Sequence, residues 1–126
     1  MNDNRIAKIA KAVAEEEDCR IEIYAIDFDG TIAETTFPAI HAPIPRMVEF
    51  IRRIQEDPRK RWILWTCRSG NALEMAIDWL EENGLFPDAV NENLPEALSF
   101  LDDDCRKVFA HHYVDDRNFP MDTLEF

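Results

Sequence analysis

The sequence is poor in the residues that mark redox chemistry and special backbone turns. It has three cysteines and three glycines among 126 residues. The cysteines, at positions 19, 67 and 105, have no Cys-x-x-Cys spacing, which argues against a zinc site. An odd number of cysteines without a secretion signal favours reduced thiols in a cytoplasm. No apolar run approaches the ~18 residues of a membrane span, so we expect a cytoplasmic protein with no membrane partner.

Basic residues are also scarce, and they are unevenly placed. The chain has 14 Lys and Arg against 26 Asp and Glu, for a formal net charge of −12. Residues 69–105 contain no Lys, Arg or His, whereas residues 46–68 contain seven Arg or Lys. General nucleic-acid binders need a cationic face, so we expect nucleic acid only as a substrate. Both charged segments are typical of solvated helix faces, unless the basic one lies beside the site.

Apolar periodicity predicts strands that alternate with helices in a single domain over residues 1–126. The predicted helices span residues 4–17, 45–56, 70–83 and 95–104, and the predicted strands span 21–26, 61–66, 88–90 and 108–114. Residues 32–45 contain three prolines and are predicted to be a loop. This alternation indicates an α/β fold, a Rossmann-like parallel sheet flanked by helices.

Polar side chains gather where the predicted strands end. Asp27 and Asp29 follow the first strand; Thr66 closes the second and precedes Arg68; Asp115 and Asp116 follow the last, and Lys107 lies just before it. The carboxyl ends of parallel strands meet at one edge of a sheet, where ligands bind. Four carboxylates at one edge raise one another's pKa unless a cation neutralises them. Hard oxygen ligands favour Mg²⁺.

These residues resemble the motifs of the haloacid-dehalogenase-like phosphohydrolases. The segment Asp27-Phe28-Asp29-Gly30-Thr31 resembles their first signature, and Thr66, Lys107 and Asp115-Asp116 resemble the other three in order. The resemblance covers about residues 21–118. The sequence also resembles a small bacterial and phage subgroup with Trp-Thr-Cys-Arg, Asn-Glu-Asn and Tyr-Val-Asp-Asp-Arg-Asn stretches, here at residues 65–68, 91–93 and 113–118.

The resemblance implies a Mg²⁺-dependent phosphatase that works through an aspartyl-phosphate. Asp27 is expected to be the nucleophile and a metal ligand. Asp29 is expected to be the general acid and base, with a raised pKa, and its backbone carbonyl to reach the metal. Thr66 and Lys107 are expected to bind and stabilise the phosphoryl group, and Asp115, helped by Asp116, to bind Mg²⁺. For Arg68, substrate binding and the balancing of nearby acids stay open.

Many members of this superfamily carry a cap domain that closes over the site. The two candidate insertion points here, residues 32–45 and 84–95, are too short to hold a domain. We therefore expect an open site for a phosphorylated small molecule or a macromolecular phosphate end, or a lid supplied by a second copy of the chain. The proline-rich segment with Phe37, Ile40 and His41 is the best candidate for a specificity element.

Two other functions stay open from the sequence. One is a receiver-like phospho-acceptor module, although its acceptor would have to lie on a middle strand, where this chain has Thr66. The other is a non-catalytic module that binds a partner. We expect His111 and His112 to pack in the sheet, and Asn91 and Asn93 to be turn residues rather than ligands.

Overall fold

A computed structural model describes residues 20–117, and its central feature is a sheet of four parallel strands. The elements in chain order are β1 (Glu22–Ile26), β2 (Ala33–Thr36), β3 (Ala39–Pro43), α1 (Pro45–Glu56), β4 (Lys60–Leu64), α2 (Gly70–Glu82), β5 (Ala89–Val90), α3 (Pro95–Leu98) and β6 (His112–Val114). The central sheet has the order β5-β4-β1-β6, and β2 pairs with β3 in a separate hairpin.

The strand β1 lies in the interior of the sheet and brings the chain's first and last motifs together. It pairs in parallel with β4 on one side and β6 on the other. In this register Ile26, the last residue of β1, is opposite Leu64 and Val114. The residues after all three strands therefore leave the sheet at the same edge. The predicted α/β fold is confirmed, and residues 20–117 contain no cap domain.

Side chains of β1 alternate between two apolar cores on opposite faces of the sheet. Tyr24 and Ile26 pack with the buried sides of α1 and α2. Ile23 and Ala25 pack on the other face with α3 and the chain that follows it. Strands buried on both faces are typical of parallel sheets covered by helices. The two cores therefore pack against β1 from both faces of the sheet.

The prediction of a loop over residues 32–45 is wrong, because this segment forms the antiparallel β2–β3 hairpin. Its prolines misled the prediction because each occupies a place where a missing N–H is tolerated. Pro38 is in the hairpin turn after a cis peptide bond, Pro43 ends β3, and Pro45 begins α1. The hairpin contacts the site through Thr35 of β2, whose hydroxyl donates a hydrogen bond to the Asp29 carboxylate.

Other element boundaries differ from the predictions in the C-terminal part of the chain. The helix predicted over 95–104 ends at Leu98, and the strand predicted over 108–114 covers only His112–Val114. Between them Val108 and Ala110 enter the core without regular strand pairing. The helix predicted over 45–56 is confirmed at both ends, and the helix predicted over 4–17 lies outside the described residues.

Candidate active site

Three carboxylates meet at the carboxyl edge of the sheet. Asp27 follows β1, and Asp115 and Asp116 follow β6. Each offers one oxygen, and the three oxygens lie within 4.8 Å of one another. A backbone hydrogen bond of 2.9 Å from the Asp27 N–H to the Val114 carbonyl ties the two strand ends together. The structure thus brings together three of the four predicted acidic residues.

The three carboxylates repel one another, and the cluster could hold a cation. Burial and the neighbouring charges of Asp115 and Asp116 raise the pKa of Asp27 to about 6. Burial and the Asp115 carboxylate likewise raise the pKa of Asp116. A divalent cation held by all three oxygens would remove the repulsion and keep Asp27 ionised. The hard, all-oxygen donor set fits Mg²⁺.

Gly30 makes room for one of these carboxylates. Its φ of +78° lies in the left-handed region, and a Cβ at this position would lie 3.1 Å from Asp116 Cγ and closer still to Oδ2. Any side chain here would push the Asp116 carboxylate away.

Thr31, the next residue, is buried. Its Oγ1 accepts a hydrogen bond from the Asp116 N–H at 3.0 Å and lies 3.4 Å from Asp27 Oδ2. Thr31 therefore links the first and last motifs.

Thr66 lies after β4, next to the end of β1. The Trp65 N–H donates to the Ile26 carbonyl at 2.9 Å, so the chain around Thr66 continues alongside Asp27. The Thr66 Oγ1 accepts the Arg68 N–H at 3.1 Å, which leaves its own hydroxyl proton free to donate. This geometry suits the predicted contact between Thr66 and phosphoryl oxygens.

Asn91 is a supporting residue that sequence reasoning treated only as a turn former. Its φ of 52° is in the left-handed region, which asparagine tolerates better than most residues. Its Oδ1 accepts the Thr66 N–H at 2.8 Å, and its own N–H donates to the Leu64 carbonyl at 2.8 Å. Asn91, directly after β5, therefore fixes the backbone of Thr66. The only hint of this role in the sequence is the position of Asn91 directly after a short predicted strand.

The fourth predicted acid, Asp29, has its carboxylate turned to a different partner. Arg68 Nε donates to Oδ2 at 2.9 Å and Arg68 Nη2 donates to Oδ1 at 2.7 Å, a bidentate ion pair. Thr35 of β2 donates its hydroxyl to Oδ1 at 2.8 Å. The Arg68 hydrogen bonds and charge, with the Thr35 hydrogen bond, lower the pKa of Asp29.

Two expectations about this pair are therefore corrected. The raised pKa expected for Asp29 falls instead on Asp27, because Arg68 stabilises the Asp29 charge while Asp27 faces two other acids. The carboxylate of Asp29 is not part of the three-oxygen cluster, so only its backbone carbonyl stays a predicted metal ligand. Of the two roles left open for Arg68, the structure shows the balancing of a nearby acid, because the buried guanidinium donates to Asp29 and to two backbone carbonyls.

Lys107 is exposed in the segment before β6. It is expected to bind a phosphoryl group, but in the structure it contacts an aromatic ring. Its Nζ lies 5.0 Å from the ring centroid of Tyr113. The Tyr113 hydroxyl donates to the Val108 carbonyl at 2.7 Å, which fixes the ring beside the turn. The flexible Lys107 side chain would have to leave this ring to reach a phosphoryl group at the Asp27 edge.

Two basic residues of the 46–68 stretch, Lys60 and Arg61, lie away from the site. Lys60 and Arg61 begin β4, at the opposite edge of the sheet from Asp27. There Lys60 Nζ lies 3.8 Å from Glu22, and Arg61 lies 3.2 Å from Glu96. Neither side chain therefore contributes positive charge beside the three-carboxylate cluster.

The histidines and the second asparagine of the 91–93 stretch have structural contacts. His111 Nδ1 accepts the Ile23 N–H at 2.9 Å, and His112 stacks on Tyr24 with 4.7 Å between ring centroids. Asn93 is buried and accepts the Phe109 N–H at 2.6 Å. Within residues 20–117, the three-carboxylate cluster is the one group of possible metal ligands.

Comparison with known proteins places the chain in a family. No protein-family model and no curated protein matches it. Among solved structures it is similar to a conserved protein from Bacteroides thetaiotaomicron, with 38% sequence identity, a TM-score of 0.66, and coverage of 79% of this chain and 78% of that chain. The chain belongs to the family of this conserved protein. No helix among the described residues is long and apolar enough to cross a membrane.

Proposed function

We propose that this family member is a Mg²⁺-dependent phosphohydrolase that cleaves phosphate monoesters through an aspartyl-phosphate on Asp27. The observation that carries the proposal is the three-carboxylate cluster, whose members come from distant parts of the chain and meet at the carboxyl edge of the sheet. The motif resemblance to haloacid-dehalogenase-like phosphohydrolases supports the same reading. Asp27, Asp115 and Asp116 would hold the ion, which when bound would neutralise charge on the substrate phosphoryl group.

In the proposed reaction, a carboxylate oxygen of Asp27 attacks phosphorus. A bond forms between that oxygen and phosphorus while the ester P–O bond breaks. Asp29 must first leave its ion pair with Arg68 and take up a proton from solvent, and the departing alkoxide then takes that proton from Asp29. The Thr66 hydroxyl would donate to a phosphoryl oxygen, and Lys107 would swing from the Tyr113 ring toward the same group.

In the second half of the reaction, water attacks the phosphorus of the aspartyl-phosphate. Asp29 takes a proton from that water, the acyl-phosphate bond breaks, and the Asp27 carboxylate and inorganic phosphate are released. Asp29 then releases this proton to solvent and re-forms its ion pair with Arg68, so each residue ends in its starting state.

The test compares wild type with Asp27→Asn on p-nitrophenyl phosphate and on a panel of phosphorylated metabolites, with Mg²⁺ and with EDTA. Asp27→Asn should lower kcat by roughly 10³-fold or more, because a carboxamide cannot act as the nucleophile. Asp78→Asn, the same change at an exposed position on α2, is the matched control and should keep its activity. The proposal fails if wild type shows no Mg²⁺-dependent hydrolysis, or if Asp27→Asn matches it.

Acetyl phosphate separates this enzyme from a receiver-like module. The enzyme should turn over its phosphorylated form rapidly, whereas a phospho-acceptor would keep the phosphoryl group long enough for mass spectrometry to find a stoichiometric adduct. We also propose a cytoplasmic location. The free, exposed thiols of Cys67 and Cys105 support it, because such thiols persist in reducing compartments.

A further inference from the structure

The buried guanidinium of Arg68 connects three parts of the site that the sequence keeps far apart. Besides its two bonds to Asp29, Nη1 donates to the Pro38 carbonyl at 3.1 Å and to the Ala72 carbonyl at 3.0 Å. These partners belong to the β2–β3 turn and to the first turn of α2. The Arg68 side chain is only 1% exposed, so its contacts are shielded from water. One side chain thus holds the hairpin tip, a helix and the catalytic-site carboxylate together.

The hairpin tip reinforces this connection through Phe37. The guanidinium carbon of Arg68 lies 5.1 Å from the Phe37 ring centroid and 5.0 Å from the Phe28 ring centroid. Phe28 is fully buried, whereas Phe37 is 65% exposed. The Arg68 guanidinium therefore lies between the buried Phe28 ring of the core and the exposed Phe37 ring of the hairpin, which a ligand can reach. Thr35, on the same hairpin, holds the same Asp29 carboxylate.

We infer that Arg68 is a specificity-determining positioning residue: with the Phe37–Pro38 tip it keeps the Asp29 carboxylate turned away from the leaving group until a substrate displaces the tip. This inference rests on the proposed phosphohydrolase function. The side-chain contacts that hold the Asp29 carboxylate come from Thr35 of the hairpin and from Arg68, which bonds the hairpin turn. Movement of the hairpin would therefore weaken these contacts together. The part of the substrate beyond the phosphate is then what releases the acid.

This coupling predicts how the rate depends on the size of the leaving group. The inference requires that a longer alkyl group reaches the hairpin tip and that a short one does not, while the leaving-group pKa is nearly constant along an n-alkyl series. In wild type, kcat/KM for ethyl, butyl, hexyl and octyl phosphate should therefore rise with chain length by about tenfold, a factor typical of coupling between sites. p-Nitrophenyl phosphate needs little proton donation, because nitrophenolate is a good leaving group.

The decisive variant is Arg68→Lys, which keeps the charge but cannot make the bidentate pair and both carbonyl contacts. It should flatten the chain-length dependence of kcat/KM to within about twofold. The kcat/KM for p-nitrophenyl phosphate, which excludes the dephosphorylation step and needs little proton donation, should stay within about threefold of wild type. Arg61→Lys, which alters an ion pair at the far edge of the sheet, is the matched control and should keep the wild-type series.

Phe37→Ala provides a second test that does not disturb the core, because the ring is largely exposed. It should also flatten the alkyl series. The inference is overturned if Arg68→Lys and Phe37→Ala keep the wild-type chain-length dependence. It is also overturned if wild type shows no such dependence, or if all substrates fall equally, as they would after a loss of folding.

Failure of this inference is distinguishable from failure of the proposed function. If wild type hydrolyses none of these esters in an Asp27-dependent way, the phosphohydrolase proposal fails. If hydrolysis depends on Asp27 and Mg²⁺ but the alkyl series is the same in wild type and both variants, the phosphohydrolase stands and only the role of Arg68 and the hairpin tip is wrong.

Discussion

Substitution of Gly30 by alanine tests whether the backbone of the first motif is shaped to hold Asp116. The new Cβ would lie 3.1 Å from Asp116 Cγ and closer to its Oδ2, while the residue keeps a φ of +78°. The carboxylate would have to move out of the cluster with Asp27 and Asp115. Two separate costs are therefore expected, one from the backbone and one from the displaced metal ligand.

Gly84→Ala isolates the first of these costs. Gly84 has a φ of +73°, close to that of Gly30, but a Cβ there would meet nothing within 4 Å. Each substitution should destabilise the metal-free protein by about 1 kcal/mol through the left-handed backbone alone. Only Gly30→Ala should also weaken Mg²⁺ binding, by about tenfold or about 1.4 kcal/mol, because it disturbs a residue that orients a ligand.

Urea unfolding in EDTA measures the first cost, and the Mg²⁺ dependence of the unfolding midpoint measures the second. The expected result is similar metal-free stability changes in the two variants, with a loss of Mg²⁺ affinity in Gly30→Ala alone. If the two variants bind Mg²⁺ equally tightly, Asp116 does not belong to the metal site and the argument from Gly30 is refuted.

Three further predictions follow from the site. The folded-state pKa of Asp27, about 6, exceeds the ordinary value of 3.8, so metal-free stability should fall as pH rises from about 4 to 6. Asp27→Asn should remove this fall in stability. At pH 8 it should stabilise the EDTA-treated protein by about 1 kcal/mol, after allowance for the partial exposure of the carboxylate. Urea unfolding at pH 4 and pH 8 measures the effect, and equal stabilities of the variant and wild type would contradict it. Asn91→Ala should cost about 1–2 kcal/mol by leaving the Thr66 N–H without its acceptor, whereas Asn91→Asp should cost less; equal unfolding midpoints for the two variants would argue against this bond. Arg68→Met should cost about 3 kcal/mol because it strands the Asp29 carboxylate, and the loss should shrink in the double variant with Asp29→Asn; an additive thermodynamic cycle would rule out the ion pair as its cause.

Much of the fold follows from local patterns. The apolar residues of α1 recur at helical spacing and Pro45 suits its first turn, so both of its ends are predicted correctly. The strands β1 and β4 are predicted to within two residues because they are rich in β-forming side chains. The β2–β3 hairpin is missed, because prolines indicate a loop unless their places in a turn and at a strand end are known.

The candidate site is also predicted only in part from the sequence. Composition and order along the chain suggest that Asp27, Asp115 and Asp116 share one edge, because parallel strands end together. The sequence alone does not distinguish Asp29 from these acids, or Arg68 from a substrate-binding residue. Those assignments depend on the contact between Asp29 and Arg68, which are 39 residues apart in the chain.

The sequence by itself therefore determines the α/β architecture and the set of acids at the sheet edge, since both arise from short-range periodicity and strand direction. Only the tertiary structure decides that Asp27 carries the raised pKa, that Asp29 is held by Arg68, and that Lys107 rests on Tyr113. The reason is that ionisation and pairing depend on burial and on neighbours within a few ångströms, and these neighbours come from distant parts of the chain.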